Sequence, residues 1–214
     1  MHKKIRLNAA ATAGLLIILF FLIIAVFAPV IAPYDPKEMI ASYLPPSKEH
    51  ILGTNDVGQD IFSEMVYGTR VSLYIGIFAA FIVTGVGTVL ALVSGYFGGV
   101  ADKIITAITN IAMAVPSLPL TVLLIAYLNP GKWSLIIAIS ITAWTGTARI
   151  LRARVMQLKE LPFIKIEKTM GVHPAVILFK HILPNIKDII LTRGAMAISG
   201  AMMTEAGLSF LGLG

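Results

Sequence analysis

The chain has 214 residues, 57% of them hydrophobic and 13% charged, with a mean hydropathy of +0.87. A soluble domain carries about a quarter of its residues charged, so this composition excludes an ordinary soluble fold and points to an all-α polytopic membrane protein. The net charge of +6 does not indicate nucleic acid, because the basic residues flank apolar runs as topology signals do. With no cysteine, disulfides, thiolate chemistry and cysteine-held metals are excluded, and the redox compartment stays open.

Five runs predict transmembrane helices, each needing about 20 residues. Residues 9–32, 71–100 and 104–128 carry no charge; residues 133–148 form a shorter run that must borrow its flanks; residues 189–208 are interrupted only by Arg193 and Glu205. The first run is too long for the core of a cleaved signal peptide, and no small-residue cleavage pattern follows it, so it is read as a retained span. The chain then divides into an anchor helix with an external loop, residues 1–70, and a transmembrane core, residues 71–214, with a polar loop at 149–187.

Basic residues set the orientation. Lys3, Lys4 and Arg6 place the N-terminus in the cytoplasm. The loop of residues 34–70 is then external, with three Lys/Arg against six Asp/Glu. The turn at 98–103 is internal and the turn at 129–132 external. The segment 149–187 is internal and holds eight of the seventeen basic residues. The C-terminus falls outside.

Within the external loop, Asp60 is placed to cap a short helix, with Ile61, Met65 and Val66 flat on the outer membrane surface. In the second span Gly87, Ala91, Gly95 and Gly99 stand four apart, a stripe that lets another helix approach closely. In the third, Pro116 and Pro119 remove backbone donors and kink or break the helix. The freed carbonyls must face protein or a water-filled path, which makes Pro116, Ser117 and Pro119 candidate path residues. Glu205, near the outer end of the last span, joins them as an intramembrane carboxylate, or pairs with a loop at the rim. Arg193, just inside the membrane, can snorkel to the cytoplasmic interface.

The internal segment is punctuated. Pro162 opens a helix, "FIKIEKTM" continues it, and Gly171 closes it in the left-handed conformation. Pro174 opens a second helix, "AVILFKHIL", and Pro184 stops it. Val176, Phe179 and Leu183 share one face, with Lys180 and His181 partly off it. Such a helix either lies in the membrane interface or docks in a groove of a partner. The chain has no phosphate-binding loop and so is not expected to bind ATP. Its four histidines, His2, His50, His173 and His181, are scattered without metal-ligand spacing. No catalytic set converges either: Ser117 lies in a span, but no span contains a histidine.

Four ordered stretches carry a resemblance. "GVHPAVILFKHILPN" (171–185) resembles the cytoplasmic coupling loop of permease subunits in binding-protein-dependent ABC importers. "LGTNDVGQDIFSEMVYGTRVSL" (52–73), "SGYFGGVADK" (94–103) and "TEAGLSFLGLG" (204–214) are similar to the peptide and nickel branch of that family, and "FAPVIAPYDP" (27–36) suits its C-type permease. The resemblance implies a multi-pass permease of a prokaryotic cytoplasmic membrane. It implies a second, non-identical permease, two ATPases that hold ATP and Mg, and an extracytoplasmic solute-binding protein. The expected cargo is a peptide, or alternatively nickel or a metal chelate; a channel or scaffold without ATP coupling is the competing reading. It marks Glu167, Gly171, Pro174, Lys180, His181, Pro184 and Asn185 as ATPase-coupling residues. It marks Gly53, Asp56, Gly58, Asp60, Ser63 and Arg70 as the external motif. The chain departs from the family pattern in having Lys165, Ile166 and Glu167 at the EAA position, and Gln59 where Arg is usual. Family members continue past "FLGLG" through a sixth span, so the chain is expected to be a fragment.

Overall fold

A computed structural model describes residues 9–129 and 131–213. Lys3, Lys4 and Arg6, on which the orientation rests, lie outside the described residues, as do His2 and Pro130. The described residues are helical or irregular, with no strand and one isolated antiparallel bridge between Thr54 and Asp60. They form two compact units, divided between Tyr74 and Ile75.

In the first unit, α1 (Ala9–Val26) is apolar all round, with Ala25 alone buried. A helix of that kind suits a lipid environment. The expected 9–32 span is interrupted after Val26, and α2 (Ala28–Ile31) is a single turn with Pro29 near its start. Pro29 has no N–H to continue the ladder. α3 (Ile61–Phe97) has 37 residues, about 55 Å at 1.5 Å per residue, well beyond a 30 Å hydrocarbon core. The short helix expected after Asp60 is therefore the first turns of α3. Met65 is 61% exposed and Val66 5%, so the two do not share one membrane-facing surface.

In the second unit, the small residues of α3 meet α6 (Lys132–Lys159). A Cβ on Gly87 would come within 2.9 Å of Thr147, one on Gly95 within 2.8 Å of Val155, and Ala91 between them is fully buried. Gly99 does not extend this stripe, because it begins α4 (Gly99–Ala114). The expected 98–103 turn is thus a break at Gly98 followed at once by helix. The third span is broken: α4 and α5 (Ser117–Tyr127) meet at 90° across Val115 and Pro116. Pro116 makes the break, whereas Pro119 sits in the tolerant first turn of α5. α5 packs along α6, with the Thr121 and Thr142 hydroxyls 3.2 Å apart. α4 is tied to α6 by a bidentate ion pair, Arg152 Nε and Nη2 donating to the two Asp102 carboxylate oxygens at 2.6 and 2.7 Å.

The fourth span borrows its flank on one side only, running through Arg149, Arg152 and Arg154 to Lys159. The segment 149–187 is therefore not one loop. It is the end of α6, then α7 (Pro162–Thr169), then a helix that opens as α8 (Pro174–Val176), widens into a π-turn over Ile177–Ile182, and continues as α9 (Leu183–Phe210). Pro184 does not stop it. In the widened register the Leu183 N–H donates to Leu178 O, five residues back, which carries the helix past a proline that cannot donate. Asn185 Nδ2 donates to His181 O at 2.6 Å beside it.

Among the described residues, three helices are long and apolar enough to cross a membrane (α1, α3 and α6), or four if the bent α4–α5 pair is one span. The all-helical, polytopic architecture holds, but the expected five spans are not reached. α9 is long enough, at 28 residues, but Arg193, Glu205 and its glycines dilute its apolar content.

Candidate functional site

Two features converge on α9: the connection from α6 and a cavity further along. In the connection, α7 closes on Gly171 at φ +77°, with Gly171 N donating to Lys168 O and Val172 N to Glu167 O. These are the two bonds of a Schellman turn. His173 then caps the next helix, its Nδ1 accepting from Ala175 N at 3.3 Å. A core of Ile164, Ile177, Ile182 and Ile186 locks this unit onto Leu151 and Val155 of α6. The buried face of the second helix is thus Ile177 and Ile182. Val176 and Phe179, two residues of the predicted apolar face, are 45% and 67% exposed, as a face free to meet lipid or a partner would be. The π-turn shifts the register by a residue, which periodicity at 3.6 cannot anticipate.

Glu167 and His181 meet across the unit, Nε2 to Oε1 at 2.9 Å, both half-buried. The other Glu167 oxygen is buried without a partner among the described residues. Their separation in sequence gave no sign of this pairing. Of the residues at the EAA position, Ile166 is 59% exposed and Lys165 pairs with Glu160 at 2.9 Å; the packing falls to Ile164 instead. The Lys165 ammonium holds the Glu160 carboxyl below its ordinary range. Lys180, Pro184 and Asn185 are exposed.

The cavity, about 770 Å³, lies between the α4–α5 bend, α6 and α9. Pro116 and Ser117 line it; Pro119 and Glu205 do not. Glu205 is buried on a neighbouring face of α9, accepting from Ser209 Oγ at 2.8 Å. The lining mixes small and hydroxylic residues, Thr142, Thr145 and Thr147 of α6 among them, with apolar ones such as Met113, Leu118 and Met203. Those threonines inside an apolar run were the signal available in sequence. Arg193 also lines the cavity. Its Nη2 lies 3.3 Å from where a Gly146 Cβ would be, and its Nε is buried without a partner among the described residues.

The first connection, residues 32–60, is built around Asp60. Asp60 is 1% exposed. Its Oδ2 accepts from Ser63 N at 2.8 Å, the predicted cap, and its Oδ1 pairs with His50 Nδ1 at 3.0 Å. Tyr34 stacks on His50 at 4.8 Å. Burial pushes the Asp60 carboxyl up, but the Ser63 N–H and hydroxyl and His50 outweigh it and hold it below 3.8. Gly53, at φ +76°, packs so closely that a Cβ would lie 2.3 Å from Leu44 O. Gly58 is also buried at positive φ. Gln59 Oε1 accepts from Asn55 Nδ2 at 3.1 Å in place of any arginine ion pair. Asp56 and Arg70 are exposed. No group of three or more His, Asp or Glu residues could hold a metal among the described residues.

A helical polytopic chain with a cavity between its helices is the architecture of an integral membrane protein. The chain belongs to the family described as "Binding-protein-dependent transport system inner membrane component", which it matches over residues 87–214. Residues 1–46 match the "N-terminal TM domain of oligopeptide transport permease C". It is 40% identical to the oligopeptide transport system permease protein OppC of Bacillus subtilis (strain 168), over 99% of this chain and 70% of that protein. It is 36% identical to the dipeptide transport system permease protein DppC of the same organism, over 99% and 67%. It is also 36% identical to the glutathione transport system permease protein GsiD of Pectobacterium atrosepticum, over 100% and 71%.

Proposed function

We propose that this chain is a peptide-importing permease subunit, forming half of a translocation path with a second, non-identical permease. Two cytoplasmic ATPases, which hold ATP and Mg, drive it, and an extracytoplasmic binding protein delivers the cargo. The relatives support peptides over nickel or metal chelates, since those named above are named for oligopeptide, dipeptide and glutathione.

The observation that carries the coupling role is the unbroken helix from Pro174 to Phe210. Its first turns are keyed to α6 on one side and expose Val176 and Phe179 on the other. A partner that grips the exposed side moves α9, and with it one wall of the cavity, as a rigid body. Glu167, Gly171, Pro174, Lys180, His181, Pro184 and Asn185 are the residues of this device. Glu167 and His181 hold α7 against the helix, and Gly171 sets the angle between them. A membrane-interface helix needs no such internal pairing.

The test uses the full importer. Gly171→Val should insert and assemble yet uncouple ATP hydrolysis from peptide uptake, because a β-branched residue is strained at positive φ. Gly171→Asn should be milder. Wild-type uptake by Gly171→Val would remove the coupling role. Orientation is tested in the same system, since the chain has no cysteine. A cysteine at Asn55 should react with an impermeant reagent from outside, and one at His173 only after the membrane is opened. Labelling of both from one side would overturn the topology.

A further inference from the structure

We propose that Arg193 is a carboxylate-binding residue of the translocation cavity, receiving the free C-terminus of the peptide in transit. This rests on the peptide-permease reading and names the substrate group that reading leaves open.

Three observations converge. First, position: Arg193 lines the cavity, and its Nη2 lies 3.3 Å from where a Cβ on Gly146 would be, within the uncharged run of α6. A cation within a membrane-spanning segment is costly unless it faces a partner or a water-filled cavity. Second, partners: Nε is buried with none among the described residues, and Nη1 reaches only the Met196 sulfur at 3.9 Å. A guanidinium offers a planar fork of donors that fits a carboxylate. Third, surroundings: Arg193 is the only charged residue lining the cavity among the described residues, and no acid there neutralises it. Thr147, also in the lining, has a buried hydroxyl without a partner among the described residues. Gly146 leaves the space in which the guanidinium lies against α6.

A peptide crossing such a cavity carries two charges that its side chains do not set, an ammonium and a carboxylate. The cavity offers a complement to the carboxylate. A single cation attracts that end of any peptide regardless of its sequence, while a lining of mixed hydroxyl and apolar groups accepts varied side chains.

The test compares trialanine with its C-terminal amide in the reconstituted importer, each supplied as the saturated complex with the binding protein. Delivery as the preformed complex removes the binding protein's own selectivity from the rate. Wild type should transport the acid about tenfold or more faster than the amide, the discrimination of one charged hydrogen-bonded contact. Arg193→Gln should bring the ratio close to one by slowing the acid alone. Arg193→Lys should retain part of the ratio. Gly146→Ala should lower it too, because its Cβ intrudes on the guanidinium without changing charge. An unchanged ratio in Arg193→Gln overturns the proposal. So does equal slowing of both peptides, the outcome if Arg193 pairs with an acid of a neighbouring subunit. Either result leaves the peptide-permease reading intact, provided wild type transports the acid. Failure of wild type to transport either peptide would sink that reading itself.

Discussion

The connections before α3 and before α9 use the same parts to different ends. Each contains a histidine–carboxylate pair and a glycine near φ +77°. In the first, the His50 and Asp60 side chains are 8% and 0% exposed, and a Cβ on Gly53 would strike backbone at 2.3 Å. In the second, His181 and Glu167 are 24% and 27% exposed, and Gly171 has nothing within 4 Å of its missing Cβ. The first is a closed knot whose polar groups bond one another. The second is more open, and its apolar residues Phe163, Ile166 and Phe179 face outward. Burial, not residue type, separates the closed connection from the open one.

The largest effect should come from Asp60→Ala. It removes the cap on α3 and leaves His50 buried without its partner, for a loss of about 3 kcal/mol. Hydrogen exchange at the Tyr43 and Thr54 amides, which bond Asn55 O and Leu44 O, should accelerate accordingly. A loss below about 0.5 kcal/mol would mean that the knot does not depend on its buried acid.

Next come the two glycines. Gly53→Ala meets both backbone strain and a collision, and should cost about 2–3 kcal/mol. Gly171→Ala meets strain alone, and should cost about 1 kcal/mol. Thermal unfolding in detergent measures both, and equal costs would erase the contrast between closed and open turns.

The acid dependence follows from Asp60. Its carboxyl is depressed in the folded state, so its contribution is present above the ordinary value of 3.8 and is lost as pH falls through the lower folded one. Exchange protection at Thr54, corrected for intrinsic rates, should hold from about pH 7 to pH 5 and fall only below about pH 4. Asp60→Asn should abolish that step. A step near neutrality would assign it to another group.

The smallest stability effect belongs to the open pair. Glu167→Gln should cost under about 1 kcal/mol, as half-exposed pairs do, while lowering the peptide transported per ATP hydrolysed. A large loss of thermal stability with unchanged coupling would reverse the roles assigned to the two connections.

Local chemistry made much of this legible in sequence. Uncharged runs mark α1, α3 and much of α6, since lipid leaves backbone groups no alternative but a helix. Asp60 as a cap, Gly171 as a left-handed closure and Pro116 as a break were readable because each acts on its own neighbours. What failed to show depends on register and on distant residues. The passage of the helix through Pro184 depends on a π-turn that no 3.6-residue pattern reports, and the residues that turn buries against α6 are Ile177 and Ile182. The pairing of Glu167 with His181, and the turning of Arg193 onto Gly146, join residues that only packing brings together. Composition and punctuation thus determined a helical membrane chain and where its connections lie. Tertiary structure alone decided which polar groups are buried together and which are left facing a cavity, because burial is a property of neighbours and not of sequence order.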